Sequence, residues 1–321
     1  MIKNNILEIM RLISLELEKE IKTDTISSYI QQRGLINKIF YTTSTEYGNA
    51  PLSSILLRLI VLDSLYSTNA SYSYFSFDNM ANEISNIGNE SKAVNYFYSL
   101  VEGKGDYEHL FDKKYGIRKN LSSGSLQMSL MSKYAYYQLL QHKKQCPLGF
   151  PIYDSLAVTM YPKVCKLITK SEVKIKSDTI GEYIESLNNL RKMIFGDYEG
   201  LVFETFQQYD LLDAYLWRMG KVNEGNFSLL FSEKDYKTFI TNIGLSNTEN
   251  LKDEKNIIIK EQKTYKNNQT KTIYKYHFNN LVKYQCSTMN IDDIVKGIEQ
   301  NECIKAIIQH WRDYYINSTT E

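Results

Sequence analysis

Lys133 and Asp154 are the two residues whose chemistry and spacing most suggest a reaction site. Lys133 lies in a helix-like segment, Ser125–Gln141, and Asp154 follows a short connection closed by Cys146-Pro147. A lysine amine is a nucleophile only when it has lost its proton, and burial among apolar neighbours lowers its pKa. A carboxylate at a helix start can stabilise positive charge that develops beside it. A lysine and an aspartate at the two ends of one helix-plus-turn unit can therefore share a site.

The chemistry that this pair favours is cleavage of a glycosidic bond. An amine can attack C1′ of a nucleotide sugar while an aspartate supports departure of the base. Enzymes that act in this way on duplex DNA first rotate the nucleotide out of the base stack. The pair therefore predicts a site that accepts a flipped base.

The segment Ser129–Ser155 resembles the catalytic segment of the helix-hairpin-helix DNA glycosylase superfamily, which includes 8-oxoguanine DNA glycosylase and endonuclease III. In that family a lysine, where present, lies early in the second hairpin helix. An apolar-Pro-apolar-x-Asp segment follows, and here Phe150-Pro151-Ile152-Tyr153-Asp154 matches it. The resemblance implies that Lys133 is the nucleophile and Asp154 the catalytic aspartate, and it extends over about Pro51 to Lys221.

The sequence departs from the family in the hairpin before the lysine. The family has a glycine-rich hairpin of the type Leu-Pro-Gly-Val-Gly, which presents backbone N–H groups to a DNA phosphate. This chain has Ser129-Leu130-Met131-Ser132 there, and the iron–sulfur cysteines of some family members are missing. We expect the contacts to DNA or to the flipped base to come from Ser132, Tyr153, Trp217, Lys221, Lys266 and Lys271.

Each of these residues also has a purely structural interpretation. Lys133 can be a solvated helix lysine and Asp154 an N-cap, a role that is compatible with catalysis. Trp217 and Tyr153 can be core aromatic residues. Lys221 also suits the C-terminal end of a helix dipole.

Charge and composition limit the kinds of partner. The chain has 321 residues and a net charge of +1, so it has no global basic field of the kind that marks nucleic-acid binding. Between Lys252 and Lys283, however, eight lysines stand against three acidic residues, a local excess of five. Tyrosines interleave with these lysines, which suits contact with nucleic acid, although a solvated, lysine-rich edge strand has the same composition.

Motifs for cofactors, metals and membranes are absent from the sequence. No pair of the four cysteines has a CxxC spacing, and the four histidines are scattered. We therefore expect no metal cluster and no cofactor. The N-terminus lacks the features of a signal peptide, and no apolar run approaches the roughly 18 residues that a membrane span needs. These features predict a cytoplasmic protein without membrane contact.

The hydrophobic spacing predicts a mainly α protein with a small C-terminal α+β portion. Residues 1–221 form the predicted helical, glycosylase-like domain. Its predicted helices are Ile2–Ile21, Thr25–Tyr41, Pro51–Asn69, Ser76–Val101, Ser125–Gln141, Asp154–Ile168, Asp178–Phe195 and Asp210–Lys221. In the second predicted domain, residues 222–321, Asn256–Lys263 and Lys271–Phe278 form a β-hairpin between short helices.

Three functions remain open from the sequence. The first is a DNA glycosylase, with AP-lyase activity through Lys133, that excises a damaged or modified base. The second is a catalytically silent protein on the same fold that binds nucleic acid or protein, for example a defence or regulatory factor. The third is a regulator whose C-terminal hairpin and helices form a winged-helix-like module.

Overall fold

The protein is mainly helical. A computed structural model of the chain describes residues 2–22, 28–46, 52–66, 68, 70, 76–107, 109–116 and 125–223, together with the strands at 252–253, 256–264, 270–278 and 282–286. The nine helices within these residues are α1 (Ile2–Lys22), α2 (Ser28–Glu46), α3 (Leu52–Tyr66), α4 (Ser76–Ile87), α5 (Glu90–Val101), α6 (Met128–Leu140), α7 (Ser155–Thr169), α8 (Ile180–Phe195) and α9 (Gln208–Asn223). The prediction of a mainly α protein is confirmed.

Most of the helices begin or end a few residues from their predicted bounds, and one predicted helix is divided. The predicted helix Ser76–Val101 is two helices, because Gly88 has a φ of +115° and Asn89 caps α5 by accepting a hydrogen bond from Lys92 N–H at 3.0 Å. Helix α2 runs through Gly34, and helix α7 runs through Pro162 to Thr169.

The predicted start of the lysine-bearing helix is also wrong, and the difference bears on the site. Ser125–Leu126 is not helical but forms a short strand, β2, that pairs antiparallel with β1 (Lys114–Tyr115). Helix α6 therefore starts at Met128, and Lys133 lies in its second turn.

The other strands form a four-stranded antiparallel sheet. Its strands are β3 (Lys252–Asp253), β4 (Asn256–Thr264), β5 (Thr270–Phe278) and β6 (Val282–Cys286), in that order across the sheet. The predicted helices at 232–243, 291–300 and 303–316 lie outside the described residues. The α+β character of the C-terminal portion therefore stays a prediction.

The contacts between Cα atoms divide the chain into two compact units. One comprises Gln31–Ala214 and the other comprises Met1–Ile30 with Tyr215–Glu321. The candidate site lies in the first unit. The predicted division of the chain at residues 221 and 222 stays a prediction.

Helix α6 is enclosed on all sides. Every residue from Leu130 to Leu140 is buried, including Ser132, Lys133 and Gln138. One buried arginine, Arg58 on α3, fixes the far end of α6. Its guanidinium donates to Gln138 Oε1 at 2.9 Å and lies 3.6 Å from Glu90 Oε2. Because a buried charge needs partners, this network determines how α6 sits against α3 and α5.

The connection after α6 is tied to the start of α9. Gln207 Nε2 donates to Leu139 O at 2.9 Å and to Cys146 O at 2.6 Å. The backbone N–H groups of Gln208 and Tyr209 donate to Pro147 O and Leu148 O, at 3.1 and 2.9 Å. These bonds satisfy the first N–H groups of α9, which have no partner within the helix. They hold α9 beside the chain that leads from α6 to α7.

Gly149 makes this approach possible. Its φ is +73°, and a Cβ atom at this position would lie 3.0 Å from Gln207 Cβ. A larger residue would meet both the backbone strain and the steric conflict.

Candidate active site

The Lys133 amine is enclosed in the first turns of α6. Lys133 is 3% exposed. Its Nζ donates to Ser129 Oγ at 2.7 Å and lies 3.4 Å from Ser129 O. The ring of Tyr66 on α3 lies 5.2 Å from Nζ, at the distance of a cation–π contact. Tyr66 is fixed in turn by Tyr137, since the two hydroxyl oxygens are 2.6 Å apart.

Burial lowers the pKa of Lys133 below the usual value for lysine, because the charged ammonium loses its hydration. The carboxyl groups of Asp154 and Asp213 act in the opposite direction and raise it. The net effect is a lowered pKa, so the amine is neutral more often at a given pH than a surface lysine. Lys133 and Asp154 thus lie within electrostatic range of each other.

Among the described residues, two other lysines have a lowered pKa and two cysteines are buried. Burial lowers the pKa of Lys143 and Lys163, but neither receives an effect from Asp154 or Asp213. Burial raises the pKa of both Cys146 and Cys165 to about 11, so their thiols are poor nucleophiles. Among these groups, Lys133 is the nucleophile on which both Asp154 and Asp213 act.

Asp154 is the N-cap of α7. Its backbone is extended, with φ −141° and ψ 142°, and its Oδ1 accepts a hydrogen bond from Leu156 N–H at 2.6 Å. A negative charge is favourable at this end of a helix. The carboxyl group is partly exposed. Asp154 therefore has the predicted N-cap role and also acts electrostatically on the Lys133 amine.

Ser132 and Tyr183 hold the segment that carries Asp154. The hydroxyl of Ser132 accepts a hydrogen bond from Tyr153 N–H at 2.9 Å, and the hydroxyl of Tyr183 donates to Ile152 O at 2.5 Å. The Tyr153 ring packs edge-on against Tyr183, with 4.9 Å between ring centroids. Ser132 is completely buried. This geometry gives Ser132 a role in positioning Asp154, and it provides no support for the predicted contact between Ser132 and DNA.

Asp213 is a third ionisable group at the site, and the sequence analysis missed it. It lies on α9, and its carboxyl group acts electrostatically on Lys133, Tyr66 and Tyr183. Burial raises its pKa to about 8, and the nearby Asp154 adds to this shift. Part of the residue nevertheless remains accessible to solvent.

A neighbouring aspartate on α9 anchors the helix. Asp210 is fully buried, and its carboxylate oxygens accept hydrogen bonds from Arg33 Nη2 at 2.6 and 2.7 Å. Tyr136 of α6 donates to the same carboxylate at 2.7 Å. These charge-assisted bonds join α2, α6 and α9. They fix the rotation of α9 that brings Asp213 towards Lys133.

Four residues that contact or act on the Lys133 amine are themselves partly exposed: Ser129, Tyr66, Asp154 and Asp213. Tyr137 and Tyr183, in contrast, are fully buried.

The other predicted contacts stay predictions. Trp217 lies on α9 and is partly exposed, and Lys221 lies in the last turns of the same helix. Lys271 lies on β5, where it is the register partner of Lys263 on β4. Lys266 falls outside the described residues, as does the segment Ser122-Ser123-Gly124.

A spacing in the sequence could have identified Asp213. Asp210 and Asp213 are three positions apart in Asp210-Leu211-Leu212-Asp213, so a helix places both on one face. Two acidic residues on one face of a helix with apolar neighbours indicate buried or paired carboxyl groups.

Among the described residues, no helix is both long and apolar enough to cross a membrane. Within the same residues, no group of three or more His, Cys, Asp or Glu side chains is arranged to hold a metal ion.

Comparisons of the chain with protein-family models, with curated proteins and with solved structures found no match.

Proposed function

We propose that this chain is a DNA glycosylase with AP-lyase activity, related to the helix-hairpin-helix superfamily that its segment Ser129–Ser155 resembles. The observation that carries the proposal is the Lys133 amine, which is buried, has a lowered pKa and lies within range of Asp154 and Asp213. An amine in this setting is the nucleophile that formation of a Schiff base requires.

In this proposal Lys133 attacks C1′ of a flipped nucleotide. The amine lone pair forms the new C–N bond, and the electrons of the glycosidic bond leave with the base. Asp154, at the start of α7, stabilises the positive charge that develops on the sugar. The Lys133–C1′ intermediate opens to an imine as the C1′–O4′ bond breaks. Loss of a C2′ proton then eliminates the 3′ phosphate, which cleaves the strand.

The partner in this proposal is duplex DNA. Base flipping brings the sugar to the partly exposed side of the site, where Asp154 and Asp213 lie. The lysine-rich C-terminal portion, which we infer to be an α+β domain, supplies an added contact to the phosphates. Lys263 and Lys271 share a register position on β4 and β5, so their charges add locally and favour a polyanion.

Borohydride trapping tests the proposal directly. The protein is incubated with duplexes that contain a single abasic site, 8-oxoguanine, uracil or thymine glycol, and sodium borohydride then reduces any imine to a stable protein–DNA adduct. We expect an adduct with the wild-type protein and none with Lys133→Ala. Lys163→Ala is the matched control, because burial lowers the pKa of that lysine too, without Asp154 or Asp213 acting on it. The absence of an adduct with every duplex, or equal trapping by Lys133→Ala, would contradict the proposal.

A second function is a silent binding protein on the same fold. The observation that favours it is the position of Ser129–Ser132, which form the first turns of α6 where the family has a glycine-rich hairpin. This alternative predicts salt-dependent binding to an undamaged duplex that Lys133→Ala and Asp154→Ala leave unchanged, with no adduct. Binding and trapping measured on the same protein preparation separate the two functions.

A further inference from the structure

The hydroxyl of Ser129 and the amine of Lys133 form a hydrogen-bonded pair at the start of α6. Ser129 Oγ and Lys133 Nζ are 2.7 Å apart. The two residues are four positions apart in a helix, so their side chains lie on one face, and each Cα–Cβ bond is tilted towards the N-terminal end. The long lysine side chain therefore reaches back to the serine hydroxyl. A hydroxyl and an amine at this distance are a nucleophile and a base within hydrogen-bonding reach.

The two members of the pair differ in their exposure. Lys133 is buried, whereas Ser129 is partly exposed. The neighbouring Ser132 cannot take the place of Ser129, because it is completely buried and its hydroxyl is bonded to Ser129 O and to Tyr153 N–H. Ser129 is thus the member of the pair that is open to solvent, and the base is shielded from it.

The surroundings of the amine suit a group that takes up and returns a proton. Burial lowers the pKa of Lys133, so the amine is available as a base. Once protonated, the ammonium group has the Tyr66 ring 5.2 Å from Nζ, at the distance of a cation–π contact. The hydroxyl of Tyr137, 2.6 Å from that of Tyr66, holds this ring in place. The cation that forms during proton transfer is therefore stabilised.

The start of α6 provides a place for negative charge beside the serine. Helix α6 begins at Met128, so Ser129 lies in its first turn, where the backbone N–H groups have no partner within the helix. Gln127, which precedes the helix, does not cap these groups with its side chain. Uncapped N–H groups at the positive end of a helix dipole stabilise an oxyanion that forms next to them.

We infer that Ser129 and Lys133 form a serine–lysine dyad that hydrolyses a carboxylic ester, with Ser129 Oγ as the nucleophile and Lys133 Nζ as the general base. This activity goes beyond the proposed function and does not depend on it, since the amine here takes a proton and attacks no carbon. Serine–lysine pairs perform acyl transfer on unrelated folds.

The reaction is balanced in two steps. In the first, Ser129 Oγ bonds to the ester carbonyl carbon as its proton passes to Lys133 Nζ, and the carbonyl oxygen becomes an oxyanion. The carbonyl then re-forms, the C–O bond to the alcohol breaks, and the alcohol leaves with the proton from Nζ. In the second, water bonds to the same carbon as Nζ takes one of its protons. The bond to Ser129 Oγ then breaks, Oγ recovers the proton, and the carboxylic acid leaves.

Labelling of the full-length protein with diisopropyl fluorophosphate tests the dyad. Ser129 Oγ displaces fluoride from phosphorus, and we expect mass spectrometry of peptides to locate the phosphoryl group on Ser129. Hydrolysis of p-nitrophenyl acetate reports turnover. We expect Ser129→Ala to lose both the label and the turnover. Lys133→Met keeps the length of the buried side chain without its amine, and it should lower both rates at least about 100-fold, the size of a general-base effect.

Ser155→Ala is the matched control. Ser155 is an exposed residue in the first turn of α7, and no lysine is bonded to its hydroxyl among the described residues. A serine that reacts only because it lies at the start of a helix would make Ser155 a target as well. We expect the label and the turnover to be the same in Ser155→Ala as in the wild type.

The position of the acyl group can be read on the wild-type protein, which covers the case in which a variant does not fold. After reaction with p-nitrophenyl acetate, hydroxylamine removes an acetyl ester from Ser129 but not an acetyl amide from Lys133. An ester on Ser129 is the expected result. The inference is overturned by an amide on Lys133 without an ester on Ser129, by wild-type protein without label at Ser129, or by equal rates for Lys133→Met.

These outcomes are separate from those of borohydride trapping. A wild-type protein that is labelled at Ser129 and traps no abasic duplex has the dyad and lacks the proposed function. A wild-type protein that traps the duplex and is not labelled at Ser129 has the proposed function and lacks the dyad.

Discussion

Asp210 and Asp213 lie one turn apart on the same face of α9, and the protein surrounds them in opposite ways. Asp210 accepts three hydrogen bonds, from Arg33 and Tyr136, at 2.6 to 2.7 Å. Asp213 has its pKa raised to about 8 because it is buried and lies beside other carboxyl groups. Asp210 therefore fixes the position of α9, whereas Asp213 is in an environment in which ionisation of its carboxyl group costs free energy. Such a difference between neighbouring carboxyl groups is typical of functional sites.

The first prediction concerns the stability of Asp213→Asn. In the unfolded chain an aspartate has a pKa of about 3.9, whereas the folded value is about 8. Between these values the folded state holds a proton that the unfolded state has released, so the wild-type protein loses stability as pH rises. Asparagine at position 213 cannot ionise, so the variant does not lose stability in this way as pH rises. We expect Asp213→Asn to be more stable than the wild type by at least about 1 kcal/mol at pH 8, the equivalent of one pKa unit.

Thermal unfolding followed at several pH values checks this expectation. The gain should shrink steadily between pH 8 and pH 4, where both proteins carry a neutral side chain at position 213. A gain that is independent of pH would mean that packing, and not ionisation, explains the difference.

The second prediction is that Asp210→Asn has the opposite effect. It removes the charge that compensates Arg33 and weakens the link to Tyr136. Because a buried ion pair is broken on one side, we expect a loss of about 3 kcal/mol in the free energy of unfolding at pH 7. Urea denaturation measures the loss. Asp197→Asn, at an exposed position, should leave the stability unchanged, and equal stability of all three proteins would contradict the assigned role of Asp210.

A third prediction separates the two roles of Asp154. Asparagine is as good an N-cap as aspartate, so Asp154→Asn should keep the stability within about 0.5 kcal/mol, whereas Asp154→Ala should lose about 1 kcal/mol. Both variants lack the charge, and both should form the trapped adduct about 100-fold more slowly. If Asp154→Asn formed the trapped adduct at the wild-type rate, the Asp154 carboxylate would act only as the N-cap of α7.

The fourth prediction concerns Ser132. Replacing Ser132 with alanine leaves the partly buried Tyr153 N–H without its acceptor, which should cost about 1 kcal/mol. Because this bond holds the segment before Asp154, the trapping rate should fall while the dissociation constant for an abasic duplex stays the same. Ser186→Ala is the control, since the Ser186 hydroxyl accepts from Lys176 N–H at 3.2 Å. A loss of trapping in both variants would point to general destabilisation.

Periodicity in the sequence located most helices but not the environment of α6. An apolar stripe through Leu130, Met131, Ala135, Leu139 and Leu140 predicts a helix with one buried face. The structure buries every residue from Leu130 to Leu140, because α3, α5 and the start of α9 enclose the helix. A helix that is buried all round has no polar face, so its spacing cannot reveal which polar residues are inside. The depth of Lys133 was therefore not predictable from its neighbours in sequence.

The candidate site was predictable only in part, for a similar reason. A lysine and an aspartate at positions 133 and 154 suggest a nucleophile and a stabilising carboxylate. Only one helix and one connection separate them, so the sequence itself indicates that they lie near each other. The spacing of Asp210 and Asp213 places both on one face of a helix, but it does not show which distant residues lie near Asp213. Asp213 becomes part of the site only because Gln207, Gln208 and Tyr209 bind the connection between α6 and α7. Pairings between distant segments of this kind are set by tertiary packing and leave no signature in a single sequence.

The hydrogen bonds that tie the start of α9 to the connection after α6 also set the order in which the site is completed during translation. Lys133 and Asp154 leave the ribosome together, but the carboxyl group of Asp213 follows only after several more seconds of synthesis. Until Gln207 reaches Leu139 O and Cys146 O, a nascent chain lacks both the Asp210 anchor and Asp213. A chain cut short before α9 would therefore carry the lysine in an incomplete environment, and the site would be assembled only after α9 has been synthesised.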